Sequence, residues 1–147
     1  MEETMDTKKL LMFSGLGGVA GTAVMTMMMY FVAPKMVGET TDIAEMLGEM
    51  MGGGWAMGMA MHWMNGVIVF PLILVFAVDR FIPGSIILKS IGWGVALWLI
   101  AQVVIMPMAG MGMFSSEGGG MKAVMASLVG HIVYGALLGV ISNLARK

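Results

Sequence analysis

Met57-Gly-Met-Ala-Met-His62-Trp-Met-Asn-Gly66-Val-Ile-Val-Phe-Pro71-Leu-Ile-Leu-Val-Phe-Ala-Val78 runs for 22 residues without an aspartate, glutamate, lysine or arginine. At about 1.5 Å of rise per residue, a helix of this length crosses the ~30 Å hydrocarbon core of a bilayer. Polar and apolar residues do not alternate, and a lone segment in lipid satisfies its backbone only as a helix. The stretch therefore reads as a membrane helix with one histidine inside it. Gly58, His62 and Gly66 stand four residues apart and share one helical face.

Three more apolar runs flank it. With Met57–Val78, the runs Leu10–Ala33, Ile86–Met106 and Met121–Leu144 each hold 21 to 24 residues. The expectation is an all-α, four-helix integral membrane bundle forming a single transmembrane domain over residues 1–147. Composition agrees: 59% of the chain is hydrophobic and 12% charged, against about 25% charged in soluble domains. A net charge of −1 offers no basic patch for nucleic acid. The absence of cysteine removes disulfides, zinc–thiolate sites and thiol nucleophiles together. Lys8-Lys9 before an apolar run suggests a signal peptide, but the run is long and follows Glu2, Glu3 and Asp6. It reads as a retained helix.

Basic residues set an orientation. Lys8, Lys9, Arg80, Lys89, Arg146 and Lys147 fall at one end of the helices, and only Lys35 and Lys122 at the other. The positive-inside rule then places both termini in the cytoplasm, in a multi-pass protein of the cytoplasmic (inner) membrane. The two longer loops face outward.

In the first helix Ser14, Gly18, Thr22 and Thr26 form one small-residue row, and Gly17 and Gly21 a second. Such rows let membrane helices approach closely. Ala33-Pro34 ends that helix. Within the outer loop, Asp42 and Glu45 resemble a capping pair. Ile43, Met46, Leu47 and Met50 fall on one face, predicting a short amphipathic helix over about 42–51, lying across the outer mouth. Glu39, Asp42, Glu45, Glu49 and Glu117 read as a solvated acidic face. Pro71 is expected to kink its helix and Pro107 to end the next. Two halves repeat weakly: Gly18-Val-Ala20 and Gly94-Val-Ala96, then a proline, a Met/Gly/Glu loop, and His-x-x-x-Gly at His62 and His131. That pattern implies a pseudo-two-fold axis along the membrane normal, with the two histidines at similar depth in the outer half.

The chemistry open to such a chain centres on this pair. Apart from Met1, Met5 and Met12, the methionines, eighteen of 21, lie toward the outer side. Thioethers with imidazole suit Cu(I), so His62, His131, Met59 and Met61 are candidate metal ligands. Equally, methionine is an adaptable apolar filler. Two histidines at matching depth, with Gly66 and Gly135 leaving room for a flat ligand, also fit bis-imidazole ligation of haem b. A quinone head group hydrogen-bonded to one histidine is a further occupant. A purely structural alternative has each histidine hydrogen-bonded across the bundle to Thr22, Thr26, Asn65, Gln102 or Tyr134. No enzyme activity is expected: Ser127 and His131 lie four apart, but no orienting acid accompanies them.

These motifs carry a resemblance. Gly18-Val-Ala-Gly-Thr22 with Met25, Ala33-Pro34, His62-x-x-x-Gly66, Pro107 and His131-Ile-Val-Tyr-Gly-Ala-Leu-Leu-Gly139 resemble a family of small prokaryotic four-helix membrane proteins catalogued as a domain of unknown function. The resemblance implies the fold across nearly the whole chain and no activity. The leading functional expectation is non-enzymatic binding of a metal or cofactor, Cu(I) or haem b, near the histidine pair. The rival is an accessory or assembly subunit of a larger, respiratory-type membrane complex, or a homo-oligomer, with structural histidines. Channel activity is weakened by the scarcity of pore-lining polar residues.

Overall fold

A computed structural model describes residues 7–38 and 42–147. Expectations placed on Met1, Glu2, Glu3, Met5, Asp6 and Glu39 lie outside the described residues. The helices are α1 (Thr7–Phe31), α2 (Ala33–Val37), α3 (Ile43–Met50), α4 (Trp55–Phe81), α5 (Ile86–Met108) and α6 (Gly120–Arg146). Among the described residues there is no strand. The four long helices have mean hydropathies of 1.6 to 2.0, and only 22 to 33% of each apolar window is buried inside the bundle. Water would not tolerate the apolar remainder, which belongs to lipid. The chain is an all-α, multi-pass membrane protein.

Proline and glycine set the helix boundaries. Pro34 sits in the first turn of α2, where its missing N–H is harmless, and Gly38 closes that helix at φ 86°. Asp42 caps α3 by accepting from the N–H groups of Ala44 and Glu45. The Tyr30 hydroxyl also donates to Asp42, and Trp55 Nε1 donates to Tyr30 at 2.8 Å. Asp42 is thus a link tying α3 to α1 and α4, not part of a solvated acidic face. Pro71 does not break α4. The helix widens into π turns at Asn65–Val69 and Leu74–Val78, on either side of it. A π turn over Ala101–Ile105 likewise precedes Pro107, and α5 continues to Met108.

Glycine contacts fix the helix order. On α1, Gly18 faces the Gly66 carbonyl and Pro71 of α4, while Gly17 and Gly21 face Leu138 and Tyr134 of α6. On α5, Gly94 faces the His131 carbonyl and Gly135 of α6. A side chain at any of these positions would meet backbone or a ring within van der Waals range, so the glycines permit backbone-to-backbone packing. The expected half-repeat thus has a packing counterpart: Gly18 rests on the His62–Gly66 turn as Gly94 rests on the His131–Gly135 turn.

Consequently α6 packs along both α1 and α5, and α1 along α4. The ring closes between α4 and α5 mainly at Leu74–Val78. The end carrying Thr7 and Lys147 (the terminal end) is sealed by Leu10, Val75, Ile86 and Ala145. Asp79 bonds there to Lys89 at 2.9 Å and, through both oxygens, to Arg146 at 2.6 Å. The opposite end carries residues 32–38, 42–54 and 109–119 and is called the loop end below.

Candidate ligand-binding cavity

Toward the loop end α4 and α5 diverge, and the gap between them becomes a cavity of about 440 Å³. Its floor is Phe70, Trp93 and Tyr134. Ile43 and Leu47 of α3, Met36 and Val37 of α2, and Met111 and Ser115 of the α5–α6 loop lie around its mouth. The amphipathic helix expected at the mouth is therefore present as α3, with two of its apolar residues turned onto the cavity.

His62 and His131 both line this cavity, from α4 and α6. Thr26 Oγ1 lies 2.7 Å from the Thr22 carbonyl and 3.1 Å from His62 Nε2. Its one hydrogen goes to the carbonyl, so the oxygen accepts from His62 Nε2–H. That leaves His62 Nδ1 as a bare lone pair. His131 Nδ1 lies 2.8 Å from the Ser127 carbonyl, which only accepts, so Nδ1 carries the proton and Nε2 is bare. Each ring thus donates one N–H to a fixed oxygen and keeps one nitrogen without a partner among the described residues. Neither bare nitrogen is among the fully enclosed unpaired atoms, which are Thr22 Oγ1 and Ser90 Oγ. A hydrogen bond from the far ring nitrogen to a fixed oxygen is what orients metal-binding imidazoles.

The other expected residues are divided. Gly66 lines the cavity, pressed against the Thr22 side chain. Gly135 faces α5, where the Ser90 carbonyl and Ile91 occupy the space beside it. Met59 and Met61 are half-buried on α4 and are not among the lining residues. The thioethers at the cavity come from elsewhere: Met25, Met28 and Met29 on α1, Met36 on α2, and Met106 and Met111 around the end of α5. Among the described residues, no three histidine, cysteine, aspartate or glutamate side chains gather to hold an ion.

Sequence inspection missed Gly130 and Ser115, and offered Gln102 and Tyr134 as partners for the histidines, whereas both bond elsewhere. Gly130 borders the cavity beside His131, with Met25 at 3.8 Å from where its side chain would begin. Buried Gln102 accepts from Ser115 Oγ at 3.2 Å and reaches Ser127 Oγ at 3.4 Å. Ser115 achieves this from a left-handed backbone, φ 51°, next to Phe114 at the same angle. No sequence signal announces such a contact, because it depends on how the loop folds back. The Tyr134 hydroxyl donates to the Gly66 carbonyl at 2.7 Å. In a π turn that carbonyl would accept from residue 71, which is proline and has no N–H.

The chain belongs to a family of unknown function, DUF6789, whose family model matches residues 9–147. No curated protein and no solved structure matches it.

Proposed function

We propose that this member of the DUF6789 family is a non-enzymatic protein of the cytoplasmic membrane that holds Cu(I) between His62 and His131. The observation carrying this reading is the pair of anchored rings, each keeping one nitrogen without a hydrogen-bond partner among the described residues, that line one shared cavity. Ionisable groups at membrane depth are costly and are retained mostly for function. Thioethers on the same walls supply the soft donors that Cu(I) prefers, and among the described residues no carboxylate lines the cavity to favour a hard ion. Haem b fits less well. Nδ1 adjoins Cβ, so a porphyrin plane seated on His62 Nδ1 would run into that residue's own backbone.

The basic residues at the terminal end support a cytoplasmic location for both termini, and the cavity mouth then faces the opposite, more oxidising side. Thioethers persist there better than thiolates. The second reading, an accessory or assembly subunit or a homo-oligomer, draws on Phe81 and Leu88, which are 77% and 70% exposed near the terminal end. Against it, Gly17, Gly18, Gly21 and Gly94 face neighbouring helices within this chain rather than an outside partner.

Cu(I) titrated against a coloured chelator, with the purified chain in mild detergent, tests the reading. A single bound ion is expected, weakened roughly tenfold or more by His62→Ala or His131→Ala. Met106→Leu should weaken it less, and Met59→Leu and Met61→Leu should leave it unchanged. Copper retention by the double histidine variant equal to the parent would sink the proposal. A Soret band in the purified protein would replace copper with haem.

A further inference from the structure

A single metal ion leaves most of this cavity unfilled. Its volume of about 440 Å³ falls in the ~300–1,000 Å³ range of small-molecule sites. Two polar groups on its walls also go unused by a metal. The Asn65 amide lines the cavity and has no hydrogen-bond partner among the described residues. Thr22 is 1% exposed, lines the same wall, and its hydroxyl oxygen is also unpaired. Leaving such groups unpaired at membrane depth is costly, and a ligand with hydrogen-bonding atoms removes that cost.

The route into the cavity indicates where the ligand comes from. Ile73 on α4 and Ile100 on α5 both line it, yet are 36% and 47% exposed. Because α4 and α5 meet mainly toward the terminal end, side chains that both line the cavity and are exposed on the bundle's apolar outside mark the side from which acyl chains can reach it. At the foot of the gap Trp93 Nε1 donates to the Phe70 carbonyl at 3.2 Å, closing α4 onto α5, and the two rings meet edge to face at 6.3 Å, with Tyr134 edge-on to Phe70 at the same distance. A further ring laid on the face of Phe70 or Trp93 would meet it in the offset or edge-on geometry that aromatic groups prefer.

We propose that the cavity takes up a lipid-soluble quinone sideways from the bilayer. The ring lies against Phe70 and Trp93. One carbonyl accepts from the Asn65 amide, a turn of the Thr22 side chain brings its hydroxyl to the head group, and the apolar tail stays in the cleft between Ile73 and Ile100. The proposal goes beyond copper binding and stands on Asn65, Thr22 and the cleft, none of which the Cu(I) site uses.

Decylubiquinone titrated into the detergent-purified chain, read by quenching of tryptophan fluorescence, is the test. Saturable quenching is expected, since Trp93 stands at the floor. Asn65→Leu should weaken it roughly tenfold, the loss of a hydrogen bond to a buried carbonyl. That substitution breaks no existing side-chain bond, so the helical circular dichroism and the unfolding midpoint should hold. Ala126→Phe, which fills the cavity from α6, should also abolish saturation. Non-saturable quenching, or equal affinity in both variants, would overturn the proposal. So would equal competition by dodecane, which would mean that any acyl chain fills the cleft. Copper titration of Asn65→Leu separates the two readings: Cu(I) binding should survive that change and fail in His62→Ala.

Discussion

Pro71 removes one backbone donor from the middle of a membrane helix, and a tyrosine from another helix replaces it. The Gly66 carbonyl would otherwise be stranded in a region without water. Tyr134 reaches it at 2.7 Å across a sequence separation of 68 residues. Tyr134→Phe should therefore lower stability by about 1–3 kcal/mol, the cost of an unsatisfied buried acceptor. Reversible unfolding in mixed micelles measures it. The same substitution should cost clearly less in a Pro71→Ala background, because residue 71 then offers its own N–H to the stranded carbonyl. A double-mutant cycle with no coupling between the two sites would refute this account. The proline is plain in the sequence, but its remedy is not: tyrosine near a membrane helix centre has no unique partner until the helices are packed. The histidines were legible for the opposite reason. An ionisable residue in an apolar run is conspicuous anywhere, whereas their ring orientation depends on Thr26 and the Ser127 carbonyl, contacts that exist only in the fold.

Glycine shows what a helix face reveals and conceals at the next scale. Gly15, Gly17 and Gly18 look alike in sequence, yet nothing lies within 4 Å of a side chain added at Gly15, while Gly17 meets α6 and Gly18 meets α4. On α5, Gly92 is open and Gly94 is pressed onto the His131 carbonyl. Gly94→Leu should consequently push α5 off α6, destabilising the bundle by about 1–3 kcal/mol or more. Gly92→Leu should stay within about 0.5 kcal/mol of the parent, as a lipid-facing change. Unfolding midpoints of the two variants compare them directly. Because Gly94 rests on the backbone of the His131 turn, Gly94→Leu should also weaken whatever the histidine pair binds. The apolar runs made the four helices and their order legible. Their side-to-side order was not, since small residues recur on several faces of α1 and only packing selects among them. Methionine was concealed in the same way. The sequence places Met59 and Met61 nearest His62, but helical geometry turns them off the cavity, and Met25 and Met28 arrive there from another helix.

Orientation belongs to the whole molecule and depends on charge placement rather than on packing. The bundle would fold identically either way up, so its contacts cannot reveal which end enters the cytoplasm. Lys8, Lys9, Arg80, Lys89, Arg146 and Lys147 lie toward the terminal end, against Lys35 and Lys122 at the loop end. Asp79 bonds Lys89 and Arg146, but acidic residues count little in the positive-inside rule, so the bias stands. Chemical labelling can read the result cleanly, because the chain contains no cysteine. A cysteine at Met113, a 55% exposed loop-end position, should react with a membrane-impermeant maleimide on intact cells. A cysteine at Lys147 should react only after the membrane is permeabilised. The converse pattern would turn the cavity mouth toward the cytoplasm. A reducing, thiol-rich compartment would then compete for Cu(I) at two imidazoles and a thioether, and the copper reading would lose its chemical basis. Sideways entry of a quinone, as proposed, would be untouched, since Ile73 and Ile100 lie within the membrane-spanning helices in either orientation.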